Sequence, residues 1–414
     1  MSTDLSPVAA DLQDERLINN QGLGATATAF WHRLKGGELG SLPVVFGLLI
    51  ICTVFYVQEP RFLSSFNLVS MLQFAAPVGI IALGIVLVLL LGEIDLSVGS
   101  VSGFAAACMA VLVVDHGQSM VVGLLAGIAV GAAIGVAYAF LYTKIGVPSF
   151  VFSLAGLLAF QGGLLYVLGT NGTVNLPDDS FLVKFARFEF VPASVAYALV
   201  VLIVAAYAVT HVVARRRRAA AGLSNGWLPL VIAKALAMLV GLLWLTWYLN
   251  IDRGWGYLWV LFAALVVGLD LLLRKTRWGR YVFAVGGNEE AARRTGIKVT
   301  RVYLSVFVGC STLAALGGLM MAGNLTTVSQ SSGTTDTNLT AIAAAVIGGT
   351  SLFGGRGSAY SAMLGIIVLQ SIQSGLNMLN VDSSVRFMVT GAVLLLAIAI
   401  DSVSRKARTS SGRG

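Results

Sequence analysis

Acidic residues between apolar stretches are the first candidates for chemistry in this sequence. Glu93 and Asp95 lie in the segment GEIDLSVGS at 92–100, between a long apolar run and a run of small residues. Charged side chains in such a setting are costly to bury and often mark a substrate or ion path. Together with Ser97 they are candidates for lining such a path. The alternative is that the two acids cap the following helix, whose positive end favours them.

A second glycine-interrupted segment, GGTSLFGGRGS at 348–358, has the same setting. Two such interruptions in matching places favour an internal repeat with broken helices beside a transport path. Glycine suits this role because it permits positive φ and close approach of helices. The alternative is a pair of flexible loops at helix ends.

Amide side chains form a stripe in a later apolar run. Residues at spacings of three, four and three lie on one face of a helix, and amides offer both donors and acceptors without charge. Such a face suits a neutral, hydroxyl-rich substrate, or else it forms hydrogen bonds between packed helices. The stripe comprises Gln370, Gln373, Asn377 and Asn380, with Ser374 beside it.

The basic segment 274–301 contains a predicted two-turn helix. Asparagine is a good N-cap, two glutamates follow it at the positive helix end and two arginines lie at the negative end. So short a helix is marginal in water by itself, so it needs a surface to dock on. A partner protein is one interpretation, and a layer of anionic headgroups is the other. The helix comprises Asn288, Glu289, Glu290, Ala291, Arg293 and Arg294, with Gly296 as its stop.

Motifs of the common catalytic and nucleotide-binding sites are missing from the sequence. It has no GxxxxGKS or GxxxxGKT phosphate loop, no HExxH, no GxSxG and no cysteine pair at metal spacing. We therefore expect no catalytic residue, no metal site and no cofactor bound by this chain.

The composition predicts the elements that carry these residues. Of 414 residues, 57% are hydrophobic and 11% are charged, and the mean hydropathy is +0.86. A soluble domain carries about 25% charged residues, so the chain is an integral membrane protein. Its long apolar runs predict an all-α polytopic helical bundle, with about ten to twelve transmembrane helices at roughly 20 residues each. The candidate spans are 43–59, 68–91, 99–114, 120–142, 150–168, 191–213, 227–249, 257–273, 302–322, 339–352, 359–379 and 386–400.

The Lys and Arg residues determine the predicted orientation. With the N-terminus inside, 21 of them fall on inner segments and 5 on outer segments. The positive-inside rule then makes both termini cytoplasmic. We predict a polar, disordered tail at 1–42, a transmembrane domain at 43–403 and a basic tail at 404–414. The spans near 99–114, 339–352 and 386–400 are short enough to be tilted, broken or re-entrant.

Five motifs in order resemble the permease subunits of ribose/xylose-type ABC sugar importers. The resemblance begins near residue 43 and extends over nearly all of the following chain. An extra helix pair around 191–249, with four arginines at 215–218 between its helices, is typical of xylose-type members. The motifs are GEIDLSVGS at 92–100, VPSFVFSLAGLLAFQGG at 147–163, TNGT at 170–173, GGNEEAARRTGI at 286–297 and AIAAAVIGGTSLFGGRGS at 341–358.

This resemblance implies a multi-pass permease that moves a monosaccharide, D-xylose, across the bacterial inner membrane. Two permease copies would form the pathway, and a periplasmic or extracellular sugar-binding protein would deliver the sugar. A cytoplasmic ABC ATPase, which holds ATP and Mg, would supply the energy. The segment 286–297 matches the family position of the loop that docks on this ATPase, so Gly286 and Gly287 join the helix residues as candidates. No nucleic acid is implied as a partner.

Two other functions remain open on the sequence. A stand-alone proton-coupled secondary sugar carrier would also lack an ATP site, and so would a channel or membrane scaffold. The sequence has no buried ladder of acids and histidines of the kind that proton pathways use, which disfavours the carrier.

Overall fold

The protein is described by a computed structural model at residues 42–223 and 228–393, with residues 395 and 399. Two predicted tails lie outside these residues: 404–414 and, apart from Leu42, 1–42. Part of the predicted span 386–400 lies outside them as well. Eight described helices are long and apolar enough to cross a membrane, and three shorter apolar helices accompany them. The prediction of an all-α polytopic membrane protein is confirmed.

The helices follow the predicted spans to within a few residues at most ends. A further helix starts at 383 and is described to 393. The apolar helices are α1 (Leu42–Gln58), α2 (Ser65–Leu90), α3 (Val98–Val114), α4 (Met120–Phe140), α5 (Ser149–Leu168), α7 (Ala193–Ala220), α8 (Leu228–Leu249), α9 (Tyr257–Lys275), α12 (Val299–Leu325), α13 (Thr335–Ile347) and α14 (Ala359–Met378). The connecting elements are α6 (Phe181–Val183), α10 (Arg277–Gly287), α11 (Glu289–Arg294), β1 (Thr173–Asn175) and β2 (Thr327–Ser329), with π-helical turns at Leu141–Ile145 and Lys184–Phe188.

The described chain divides into two compact units. The smaller unit comprises 191–254 and contains α7 and α8, which pack on each other. Trp244 stacks on Tyr248, and Trp244 and Trp247 are exposed. Such rings suit the level of the lipid headgroups. The larger unit comprises 40–190 and 255–405, and it contains every candidate site residue.

Helix α2 is the core of the larger unit. Every residue at 79–90 is buried, and a helix that is apolar all round belongs inside a bundle. Helix α12 packs along α2, α3 and α4, and α14 also packs on α2. At one end, β1 pairs antiparallel with β2 through Val174 and Val328. This two-stranded ribbon, which the sequence analysis did not predict, joins the segment after α5 to the end of α12.

A glycine face on α4 allows its close approach to α12. Gly123, Gly127, Gly131 and Gly135 recur every fourth residue and are all buried. A Cβ on Gly131 would lie 2.5 Å from the Cβ of Ala315 and 2.6 Å from the carbonyl oxygen of Ser311. Small residues at this spacing are a common basis for packing of membrane helices.

Two element boundaries differ from the predictions. The predicted span 339–352 ends at Ile347, because Gly348 and Gly349 follow and Gly349 has a φ of +104°. The basic segment 274–301 contains the helix α10 besides the predicted helix. Helix α10 begins after Thr276, whose hydroxyl accepts the N–H of Gly279 at 3.2 Å. The sequence analysis did not predict this helix.

Replacing Gly131 with Leu should destabilise the protein, whereas Gly162→Leu should not. A larger side chain at Gly131 must displace the α12 backbone, and overpacking costs about 1–3 kcal/mol. A Cβ on Gly162, on α5, meets no atom within 4 Å. Thermal unfolding in detergent measures the difference. Equal unfolding temperatures for the two variants would contradict the packing role of the glycine face.

Candidate functional site

The loop 91–97 between α2 and α3 is the first part of the site. Helix α2 ends at Leu90, and Gly92 adopts a φ of +81°, the left-handed conformation that often ends a helix. Glu93 is half-buried in this loop, and Asp95 and Ser97 are buried. Glu93 and Asp95 thus lie in irregular backbone between two apolar helices, as the glycine-interrupted pattern predicts.

The loop 348–358 between α13 and α14 lies directly against the loop 91–97. The N–H of Gly355 donates to the carbonyl oxygen of Leu90 at 2.9 Å. A Cβ on Gly354 would lie 3.0 Å from the nitrogen of Gly92. The structure therefore brings together the two glycine-interrupted segments, 92–100 and 348–358, which are far apart in the sequence.

Gly286 and Gly287, at the start of the predicted docking segment 286–297, lie against Leu90 and the loop 348–358. A Cβ on Gly286 would lie 1.7 Å from the carbonyl oxygen of Leu90, and a Cβ on Gly354 would lie 2.5 Å from the carbonyl oxygen of Gly286. A Cβ on Gly355 would lie 3.1 Å from the Cα of Gly287. We call the five glycines at this contact of three segments the glycine junction: Gly92, Gly286, Gly287, Gly354 and Gly355.

Asp95 is the centre of a buried hydrogen-bond network. Its side chain is almost fully enclosed, at 1% exposure, and Oδ1 accepts the backbone N–H of Ser97 at 2.8 Å and the Ser97 hydroxyl at 2.6 Å. The hydroxyl of Tyr138, on α4, donates to the Ser97 Oγ at 2.7 Å. Among the described residues no Lys, Arg or His forms an ion pair with Asp95. In this conformation Asp95 and Ser97 hold the loop in place and are closed to solvent.

Asn338 attaches α13 to the same loop. Its amide nitrogen donates to the carbonyl oxygen of Leu96, and its amide oxygen accepts the N–H of Gly99 at 3.4 Å. The residue is 2% exposed. The sequence analysis did not select Asn338 as a site residue, although an amide within an apolar helix is a signal that could have found it.

Glu93 is bound by a tyrosine and not by the helix that follows it. The hydroxyl of Tyr142, in the π-helical turn after α4, donates to Glu93 Oε1 at 2.6 Å. The ring of Tyr142 lies 4.4 Å from that of Tyr303, centroid to centroid. The hydroxyl of Tyr303 donates to Glu289 Oε2 at 3.2 Å. Neither tyrosine was predicted from the sequence.

The predicted two-turn helix is present as α11, and its predicted ends are confirmed. Asn288 Oδ1 accepts the N–H of Ala291 at 2.9 Å, and Gly296 has a φ of +85°. Ala292 is buried, whereas Glu290, Ala291, Arg293 and Arg294 are exposed. One face of α11 therefore rests on its own chain, and the other is free to meet a partner.

The amide stripe divides into two parts along α14. Ser374 donates to Asn67 Oδ1 at 2.9 Å, and Asn377 accepts from Arg386, so this end forms contacts between helices. Asn380 lies beyond the helix, with a φ of 52°. Gln370 and Gln373 are half-buried, and no side-chain hydrogen bond to either is found among the described residues. The half-buried Gln370 and Gln373 therefore differ from Asn377 and Asn380, which are exposed.

Metal-binding geometry is not found in the described part of the chain. No group of three His, Cys, Asp or Glu residues there is close enough to hold an ion.

Comparison with known proteins identifies the family. The sequence pattern of the family described as "Branched-chain amino acid transport system / permease component" matches residues 67–398. The xylose transport system permease protein of Escherichia coli (strain K12) is 33% identical over 374 residues, covering 90% of this chain and 94% of its own.

Two further relatives are similar over comparable lengths. The ribose import permease protein of Bacillus subtilis (strain 168) is 31% identical over 365 residues, covering 88% of this chain and 94% of its own. The L-arabinose transport system permease protein of Escherichia coli (strain K12) is 28% identical over 392 residues, covering 94% and 98%. No solved structure matches the chain. The resemblance carried by the five motifs is confirmed, and the chain belongs to the branched-chain amino acid transport system / permease component family.

Proposed function

We propose that this chain is the transmembrane permease subunit of an ATP-driven ABC importer for a monosaccharide, D-xylose. The observation that carries the proposal is the exposed face of α11 beside the glycine junction, in a chain whose relatives are permeases for xylose, ribose and arabinose. Helix α11 packs on its own chain on one side and exposes charged side chains on the other. Such a helix suits docking of a separate subunit that hydrolyses ATP.

The choice of D-xylose rests on two supports. The xylose transport permease is 33% identical to this chain, and the helix pair α7–α8 matches the extra pair typical of xylose-type members. The identities to the ribose and arabinose permeases, 31% and 28%, are similar. The three relatives together support a monosaccharide as the substrate, and the helix pair favours D-xylose.

The proposed topology places α11 in the cytoplasm of a bacterial cell, with the permease in the inner membrane. The distribution of Lys and Arg supports cytoplasmic termini. Eight long helices, three short apolar helices and the helix that begins at 383 support ten to twelve membrane segments. The ribbon of β1 and β2 follows the C-terminal ends of α5 and α12. In this topology these ends, and the ribbon with them, would lie on the outer side of the membrane.

The proposed assembly contains two copies of the permease, a cytoplasmic ABC ATPase that binds ATP and Mg, and an external sugar-binding protein. ATP binding and hydrolysis would shift the permease between access states, because a ligand can shift an equilibrium by its differential affinity for the two states. Gln370 and Gln373 are proposed to line the sugar path, since neutral amides can exchange hydrogen bonds with sugar hydroxyls.

Replacing Glu290 with Lys should reduce the amount of ATPase that co-purifies with the tagged permease in mild detergent. Glu290 is exposed, and its one ion pair among the described residues is with Arg294, at 3.2 Å, so the change reverses a surface charge without disturbing the core. Glu189→Lys is the matched control, since Glu189 is also exposed and lies in the segment that leads from α6 to α7. Retention of the ATPase by both variants would argue against docking on α11, and a permease that purifies without any ATPase would argue against the importer.

Replacing Gln370 or Gln373 with Leu should lower sugar uptake at saturating binding protein by about two- to twelvefold, the effect of losing one hydrogen bond of about 0.5–1.5 kcal/mol. Asn377→Leu serves as the comparison, because it removes the contact with Arg386 and should lower thermal stability instead. Unchanged uptake in both glutamine variants at normal expression would show that the stripe is a packing surface.

A further inference from the structure

Two tyrosines form a continuous connection between α11 and the loop 91–97. Tyr142 donates to Glu93 at 2.6 Å and Tyr303 donates to Glu289 at 3.2 Å, while the two rings lie 4.4 Å apart. We call Glu93, Tyr142, Tyr303 and Glu289 the tyrosine link. It joins the helix proposed to dock on the ATPase to the loop that begins α3.

The link is held in a packed environment. Tyr303 is 3% exposed, and the rings of Tyr142 and Tyr303 both pack on Phe307, with centroids 5.6 and 6.2 Å apart. Close-packed interiors transmit displacement because they have few voids to absorb it. Tyr303 and its aromatic neighbours are therefore a close-packed group beside Glu289.

Glu289 and Glu290 have different surroundings although they are adjacent. Glu289 Oε2 accepts from Tyr303, and its Oε1 binds Arg293 at 2.5 Å. The Glu290 carboxylate instead binds Arg294, on the exposed side of the helix. Glu289 thus contacts α12 through Tyr303, whereas Glu290 lies on the exposed side of α11.

The other end of the link reaches a loop that is anchored at several points. Besides the bond from Tyr142 to Glu93, the Ile94 N–H donates to Ser149 Oγ at 3.3 Å, and Asp95 binds Ser97. Tyr142 itself lies in a π-helical turn, a local irregularity that often occurs at functional sites. These hydrogen bonds connect the loop 91–97 to the start of α3 and of α5.

We propose that Tyr142 and Tyr303 are positioning residues that transmit the displacement of α11 to the loop 91–97 during transport. The proposal rests on the proposed function, since it assumes that the ATPase docks on α11. The hydroxyl groups of Tyr142 and Tyr303 bind the carboxylates of Glu93 and Glu289, and the two tyrosine rings contact each other.

The test uses Tyr303→Phe and Tyr142→Phe in the complete complex of permease, ATPase and binding protein, reconstituted in lipid vesicles. Each change removes one hydroxyl and keeps the ring. We expect the ATPase to stay bound and to hydrolyse ATP, while the sugar transported per ATP hydrolysed falls several-fold. The double variant should be no worse than the more severe single variant, because both hydroxyls act along one connection.

Tyr166→Phe is the matched control, since Tyr166 on α5 is 89% exposed. It should leave the ratio of sugar to ATP unchanged. An unchanged ratio in both Tyr303→Phe and Tyr142→Phe would overturn the proposal, as would loss of the ATPase from Tyr303→Phe, which would assign that hydroxyl to docking. If one variant fails to fold, the other gives the answer. A wild-type complex without ATP-dependent uptake would overturn the proposed function, and this proposal with it.

Discussion

The approach of Gly286 to the carbonyl oxygen of Leu90 is the constraint on which the rest of the site depends. The space between them is too small for a Cβ, which would lie 1.7 Å from that oxygen. The same oxygen accepts the N–H of Gly355, so one carbonyl at the end of the central helix is shared by two other segments. Because the three segments meet through their backbones, the end of α10 is packed on the core of the bundle, and α11 begins only two residues after it.

Buried polar groups define how the apolar helices meet near this junction. Apolar surfaces pack in many registers, whereas a buried hydrogen bond requires one arrangement and is costly to leave unmade. Two such contacts reach the loop that leads into α3. On α4, Tyr138 binds Ser97, which also binds Asp95. On α13, Asn338 binds Leu96. The junction and the network together make the loop 91–97 a place where movement of one helix must involve the others.

Helix positions and helix ends, which depend on residues close together in the sequence, were predicted well. The bilayer thickness determines helix length, so the spans were found, and capping rules were enough to predict α11 from Asn288 to Gly296. The pairing of Glu93 with Tyr142, 49 residues away, could not be predicted, because it depends on how the helices pack. Helix α10 was missed because its arginines and glycines are typical of a loop. The glycine face of α4 was readable from its spacing of four residues, but it was not recognised.

Uptake of labelled D-xylose into vesicles that contain the permease, its ATPase and its binding protein tests the central claim most directly. The comparison is between ATP supplied to the ATPase side and an imposed proton gradient without ATP. We predict saturable uptake with ATP and none with the gradient alone. Uptake driven by the gradient, and insensitive to ATP, would contradict the importer and identify the chain as a stand-alone carrier.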